Sequence, residues 1–308
     1  MLTALRFVVL RHTKLSHAIL SAMRAVFLTD IHIGAAADGF QMQPRWIDGI
    51  PQLLERFASC MTELAPDLII VGGDTVEQGT PEQVDQATAF FARLPARTLV
   101  CLGNHDLTHP DSARLWRDRL ANLKHVTLAD AMIPMPDCDV IAISTHWLNT
   151  AGHPLQQWTS GQYPLPAITE EQTKRLDEWL GRSSDRPAIL AMHAQLNGVP
   201  ADVCGRDAPF EPPLRAFEEA ARRVIERHPR LRLTLSGHCH AACAIRQGKR
   251  VELTGTSYTE TPHQFQVIDL KDGALSVTSQ SIVEEGSPAF VEDRAWVRGR
   301  ETDRAFVV

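Results

Sequence analysis

Apolar runs and helical periodicities alternate along the chain. "RAVFLTD" (24–30) reads as a buried strand, and after a loop an amphipathic stretch runs from Trp46 to Leu64. "DLIIVGGD" (67–74) predicts a second strand. "TPEQVDQATAFFARL" (80–94) predicts a helix, with Thr80 as N-cap and Pro81 at its first position. A third strand, "RTLVCLGNHD" (97–106), ends in polar residues and precedes a helix over "DSARLWRDRL" (111–120). Strands alternating with helices point to a mainly parallel, buried sheet.

The second half is less regular. "DVIAIST" (139–145) predicts a strand, and residues 146–168 form a loop punctuated by proline and glycine. A helix over 169–181, a strand over 187–192, a helix from Leu214 to His228 and the strand "LRLTLS" (231–236) follow. "KRVELTGTS" and "QFQVIDLKDGALSVTSQ" predict antiparallel strands, with Asp272-Gly273 at a hairpin turn. Residues 286–308 are charged and weakly patterned, which predicts a tail beyond a single catalytic domain over 23–285. Arg6, Arg11, His12 and Lys14 interrupt the apolar stretches of residues 1–22. No run there reaches the roughly 7–15 residues of a signal-peptide core or the ~20 of a membrane span. Met23 directly precedes the first strand, so 1–22 is expected to be an appendage to the fold, with an amphipathic surface helix as the rival.

Composition narrows the class. The chain has 308 residues, 44% of them hydrophobic and 22% charged, which is enough for a large core and ordinary for a globular protein. A net charge of −6 does not suggest a nucleic-acid polymer as partner. Small anionic substrates fit, because bound metal ions can invert the local potential. The six cysteines form no CxxC pair and several sit in apolar runs. That predicts reduced, buried thiols and a cytoplasmic location.

The chemistry lies at the predicted strand ends. Asp30 and His32 follow the first strand, Asp74 the second, and Asn104, His105 and Asp106 the third; His193 follows "PAILAM", and His238 and His240 follow "LRLTLS". In an open α/β sheet the carboxyl ends of the strands share one edge, where ligands bind. Singly, each residue is as readily a cap, a turn residue or a core histidine. Five such segments in order, each closing an apolar run, point to a joint site. In "LSGHCH" the spacing leaves two options open. His238 and His240 could face one ligand from an extended segment, or a bend could send them to different metals.

Taken together, Asp30-Ile31-His32, Gly73-Asp74, Gly103-Asn104-His105-Asp106, His193 and Gly237-His238-Cys239-His240 resemble the DxH, GD, GNH(D/E), H and GHxH motifs of the calcineurin-like metallophosphoesterases. The resemblance covers about residues 24–280. It implies a four-layer α/β/β/α sandwich of two mixed sheets flanked by helices, with a dinuclear metal centre. It assigns Asp30, His32, Asp74 and His240 to one metal, and Asn104, His193 and His238 to a second that Asp74 bridges. Cys239 becomes a bystander between ligands of different metals. Two divalent cations about 3.5–4 Å apart would screen a phosphate ester and lower the pKa of a bridging water, the attacking hydroxide. The mixed oxygen and nitrogen donors suit Mn, Fe or Zn. His105, not a ligand, is expected near the leaving-group oxygen, to protonate it or stabilise its charge, and Asp106 either orients that ring or caps the loop.

The substrate class is read from departures. The phosphoprotein phosphatases of this superfamily carry GDxVDRG and RGNHE; here Gln78 and Leu102 stand where the two arginines would be. Losing two bidentate clamps argues for a phosphodiester with its single charge. The chain's size, "GDTVEQG" and "CLGNHD" look most like the bacterial cyclic-nucleotide phosphodiesterase branch, although "MHAQLNG" lacks that branch's HHP. His146 and Trp147, just past a strand end, are candidates to contact substrate, while His109, His153 and His263 carry no firm assignment. A monoesterase of the same fold and a metal-binding interaction scaffold are the alternatives. A nuclease is disfavoured, since neither a basic groove nor an appended DNA-binding domain is visible.

Overall fold

The computed structural model describes residues 23–39, 43–109, 111–148, 165–182, 186–283 and 295–308. The expected appendage 1–22 lies outside them. Along the chain, β1 (Met23–Leu28), α1 (Ile50–Leu64), β2 (Leu68–Val71), α2 (Pro81–Phe91), β3 (Arg97–Val100), α3 (Ser112–Leu120) and β4 (Val126–Leu128) form a parallel β/α half. There follow β5 (Ala131–Pro134), β6 (Asp139–Ala142), β7 (His146–Leu148), β8 (Leu165–Pro166), α4 (Glu170–Leu180), β9 (Ala188–Ala191), α5 (Ala201–Cys204), α6 (Arg215–Ile225) and β10 (Leu231–Ser236). The chain closes with β11 (Cys243–Gln247), β12 (Arg250–Thr254), β13 (Gln264–Lys271), β14 (Ala274–Ser281), α7 (Glu301–Arg304) and β15 (Ala305–Val307).

Two mixed sheets result. One runs β15-β14-β13-β1-β2-β3-β4 and the other β11-β12-β10-β9-β6-β5. In both, the central strands are parallel; β13, β14 and β15 pair antiparallel at one side of the first sheet while its other edge, β4, stays parallel, and β11 and β5 are the antiparallel edges of the second. Strand alternation sorts the side chains into layers. Ala25 and Phe27 of β1, Ile70 of β2, Ile189 of β9 and Leu233 of β10 meet in the core between the sheets. Val26 and Leu28 face the other way, against Leu53, Phe57, Phe90 and Trp116 of α1 to α3. Leu190 faces Leu176 of α4 and Phe217 and Val224 of α6. The architecture is the four-layer α/β/β/α sandwich that the motifs implied.

Helix starts follow local chemistry. The Thr80 hydroxyl accepts from the Gln83 N–H with Pro81 just inside α2, and Thr169 and Gln172 form a reciprocal capping box on α4. Two expectations are corrected. Residues 295–308 do not form a tail: they build α7 and β15, which pairs antiparallel with β14 and extends the larger sheet by an edge strand. The loop over 146–168 begins and ends as β7 and β8, which pair with each other.

Candidate metal centre

The ligand-type side chains stand past the ends of β1, β2, β3, β9 and β10, where the two sheets come together. At these ends the chain bends sharply. Asp30, His32, Asp74, His238 and His240 all adopt positive φ, between 48° and 74°, a region that non-glycine residues rarely occupy. Cross-links between segments hold the strained conformations in place: Asp30 N–H donates to Gly73 O, His32 N–H to Asp74 O, and Gly237 N–H to His193 O, each at 3.0 Å. The glycines before the ligands are needed for close approach. A Cβ on Gly103 would sit 2.2 Å from the Asp74 carboxylate, and one on Gly237 2.2 Å from that of Asp30.

The first cluster gathers Asp30, His32 and His240, all buried. His240 Nε2 lies 3.2 Å from Asp30 Oδ1 and 3.2 Å from His32 Nε2. On their far sides, His32 Nδ1 faces Glu77 Oε2 at 2.9 Å and His240 Nδ1 faces Glu260 Oε1 at 2.8 Å. A carboxylate that accepts the Nδ1–H holds the ring so that Nε2 is the nitrogen directed inward, where it can offer a lone pair to a metal. The second cluster gathers Asp74, His193 and His238. His193 Nδ1 donates to Gly72 O at 2.9 Å, while its Nε2 lies 3.0 Å from Asp74 Oδ2 and 3.3 Å from His238 Nδ1. Asn104 Oδ1 completes this side, 2.9 Å from His238 Nδ1.

All seven expected metal ligands are therefore brought together, in two groups, with His238 and His240 in different ones. The donor set fits two divalent transition metals: carboxylate oxygens, an amide oxygen and imidazole nitrogens converge, and the outer ring nitrogens of His32, His193 and His240 are tied away from the centre. Electrostatics agree. Burial alone would raise the Asp30 carboxyl, but His240 and His193 outweigh it and hold it down at about 2. Burial would likewise depress His240, yet Glu260 and Asp30 lift it to about 10; Asp74 and Asp30 lift His193 to about 9 against the same opposition. The carboxylates thus generate a strongly cation-seeking cavity.

His105 stands beside the clusters, with its side chain 31% exposed and its ring edge-on to His32 at 4.7 Å between centroids. Its Nδ1 donates to the Glu77 main-chain oxygen at 2.9 Å, with Glu77 Oε1 3.8 Å away. Asp106 does not orient this ring. Its buried carboxylate accepts the backbone N–H groups of Val76 at 3.1 Å and Gly103 at 2.9 Å, which makes it the loop cap. Burial and the neighbouring Asp74 raise its carboxyl to about 7.

His146 is wholly buried rather than displayed to a substrate. Its ring lies 5.1 Å from that of His193 and 5.2 Å from that of His238, backing the second cluster. The side chain of Trp147 and the whole of His153 lie outside the described residues. His263 is buried against Tyr258 O at 3.2 Å, and His109 caps the approach to α3, its main-chain N–H donating to Ser112 Oγ at 2.9 Å. Glu77 and Glu260 were not singled out by sequence. Glu77 lies inside "GDTVEQG", three residues past a ligand, but Glu260 carries no motif signal.

A model of the calcineurin-like phosphoesterase family matches residues 23–242. Metallophosphoesterase 1 from Pongo abelii is 22% identical over 267 residues, covering 77% of this chain and 65% of that protein. The Gallus gallus protein of the same name is 22% identical over 262 residues, 76% of this chain and 64% of that one. The chain thus spans just under two thirds of the length of these curated relatives. A solved dimetal phosphatase from Danio rerio superimposes with a TM-score of 0.66 at 14% identity, over 86% of this chain and 98% of that one. The family match covers the segments that deliver every residue of both clusters, and on that ground the chain belongs to the calcineurin-like phosphoesterase family.

Proposed function

We propose that the protein is a metal-dependent phosphoester hydrolase that acts on a small phosphodiester, a cyclic nucleotide or another diester of similar size, at a centre of two divalent Mn, Fe or Zn ions. Asp30, His32, Asp74 and His240 would hold one ion, and Asp74, Asn104, His193 and His238 the other. Such ions, when bound, screen the ester's charge and acidify a water for attack. His105 is suited to the other half of the reaction. With Nδ1–H fixed on the Glu77 carbonyl, its second nitrogen is aimed away from that anchor and can carry a proton to the leaving oxygen as the phosphorus–oxygen bond breaks.

The observation that supports a diester is that, among the described residues, the two arginine-clamp positions carry other side chains and the arginine beside the first cluster is already engaged. Gln78 is exposed and Leu102 buried where arginine clamps would stand, and Arg45, beside the first cluster, has a side chain only 5% exposed and bound to Glu77 and Glu260. A dianionic monoester would lack its bidentate partners. No described helix is long and apolar enough to cross a membrane. The six free cysteines support a reducing, cytoplasmic setting, and the net charge of −6 supports a partner other than a nucleic-acid polymer. The test is a comparison of kcat/KM on metal-loaded protein for bis-p-nitrophenyl phosphate, cyclic mononucleotides and p-nitrophenyl phosphate. Diesters should be preferred by at least an order of magnitude. A monoester preference of that size would overturn the reading.

A further inference from the structure

The segment that extends the larger sheet also grips the smaller one. Its strand β15 pairs with β14 and places Phe306 in the core between the sheets. Ahead of β15, a 3-10 turn over Ala295–Arg298 lies against the loops that carry the imidazoles. Val297 O accepts the N–H of Ala242, just past His240, at 2.8 Å. The Trp296 ring meets Phe210 edge-on at 5.2 Å and packs against the apolar pocket that holds Val199, Cys239 and Ala241. Phe210 is paired in turn with the loop that follows His193, Val199 N–H donating to Phe210 O at 2.8 Å. Arg300 adds an ion pair to Asp202 of α5 at 3.5 Å.

The approach is close. Gly299 has a φ of 66°, and a Cβ there would lie 2.5 Å from Ala242 O, so a side chain would push the segment off the bend. The bend itself is strained. His238 and His240 both adopt positive φ, a conformation that persists only where the surroundings over-determine it. On one side, the Asp30 carboxylate accepts the His238 N–H at 3.1 Å. On the other, Cys239 and Ala241 turn into the pocket against which Trp296 packs.

We infer that residues 295–307 are a strap across the seam between the sheets, and that Trp296 and Val297 are positioning residues of the metal centre, acting through the His238–His240 bend. The inference rests on the ligand set proposed above, in which His238 and His240 serve different ions. Loosening the bend should therefore weaken both metals together.

The test uses the full chain loaded with Co(II), whose visible absorption reports ligand geometry. Bound metal per chain is followed against a graded chelator, and thermal unfolding is measured on the metal-stripped protein. Trp296→Ala should release both metals at about 10–100-fold lower chelator concentration and alter the Co(II) spectrum. Trp296→Phe, which keeps a ring against Phe210, should recover most of the loss. Gly299→Ala, which forces the segment off Ala242 without deleting a side chain, should act like Trp296→Ala, and it serves where that variant does not fold. Leu120→Ala, a cavity at the end of α3 on the outer face of the larger sheet, is the stability control. It should lower the unfolding temperature at least as far while its spectrum and chelator curve stay at wild type. Equal metal loss in Leu120→Ala, loss confined to one metal, or wild-type spectra and retention in both Trp296→Ala and Gly299→Ala would overturn the inference. A wild type that binds no Co(II) would overturn the ligand set itself, and the inference with it.

Discussion

The two sheets contribute differently to the centre where they meet. The seven-stranded sheet, through the ends of β1, β2 and β3, presents Asp30, His32, Asp74 and Asn104, including the carboxylates of both clusters. The six-stranded sheet, through β9 and β10, presents His193, His238 and His240, imidazoles alone. Neither edge is a site by itself. The anionic edge buries two carboxylates, and it is the facing edge that meets them, His240 on Asp30 at 3.2 Å and His193 on Asp74 at 3.0 Å. A metal centre divided across a seam in this way depends on the packing of the seam as much as on its ligands.

The largest effect should come from Asp74, the carboxylate proposed to serve both ions. Asp74→Asn keeps the shape of the side chain but removes the charge that the two ions would share. Activity should fall to near background, and metal content should drop at both sites. His193→Ala, on the imidazole edge, should empty mainly the second site. Metal analysis of the two variants side by side checks this. If both lost one and the same metal, Asp74 would belong to one cluster only.

His105 comes next, because it sits on the anionic edge beside the two clusters. His105→Ala should keep both metals while turnover of poor leaving groups drops about 10²–10⁴-fold, the usual range for a lost general acid. The loss should shrink for p-nitrophenyl diesters, whose leaving oxygen scarcely needs a proton. An equal loss for both kinds of ester, with metals still bound, would assign His105 to phosphate positioning instead.

The same division explains what could be read from the chain. Strands β1, β2, β3, β9 and β10 have a helix layer on one face and the opposing sheet on the other, so they appear as short continuous apolar runs, and a polar residue at the end of such a run stands out. The outer strands gave no such contrast. Val126–Leu128 of β4 is half-buried throughout, the Cys243–Gln247 strand becomes exposed along its length, and Ala305–Val307 buries one residue of three. Pairing with a neighbour, not composition, makes these strands. Asp106 and Glu77 show the same limit at the site. Adjacent side chains in the 3-10 turn at His105–Leu107 diverge, so Asp106 faces the backbone while Glu77, from another segment, reaches the His105 ring. Glu260 acquires its role only when 259–261 pair with 44–46, an approach that no local pattern announces.

The seam itself can be loosened without touching a ligand. Phe27 is fully buried between the sheets, and its ring lies so close to Gly72 that a Cβ there would come within 2.7 Å of it. Gly72 O in turn accepts from His193 Nδ1. Phe27→Ala should cost about 3–5 kcal/mol of stability, as truncations of buried aromatics do. It should also weaken retention of the second metal more than the first, because the cavity opens beneath His193. Chemical denaturation gives the stability change and metal analysis the site preference. A variant as stable as wild type would show that the seam is held by its rim.

The smallest effect is expected at Cys239, although it stands between two residues of the candidate centre. The bend that sends His238 and His240 to different clusters turns this side chain out of the centre, into a pocket with Val199, Cys204, Phe210 and Ala241. Its Sγ lies 3.8 Å from Ala241 O, and burial pushes the thiol up to about 12, far from the thiolate that a metal would require. A serine hydroxyl is close to the thiol in size and can donate to the same carbonyl, so the exchange buries a more polar atom without orphaning it. Cys239→Ser should therefore keep both metals and nearly full turnover while losing on the order of 1 kcal/mol of stability, near the centre of the range for single substitutions. Metal content and thermal unfolding measured together decide the matter. Loss of a metal equivalent with the fold intact would make the sulfur a ligand and place all three residues of the bend on the centre.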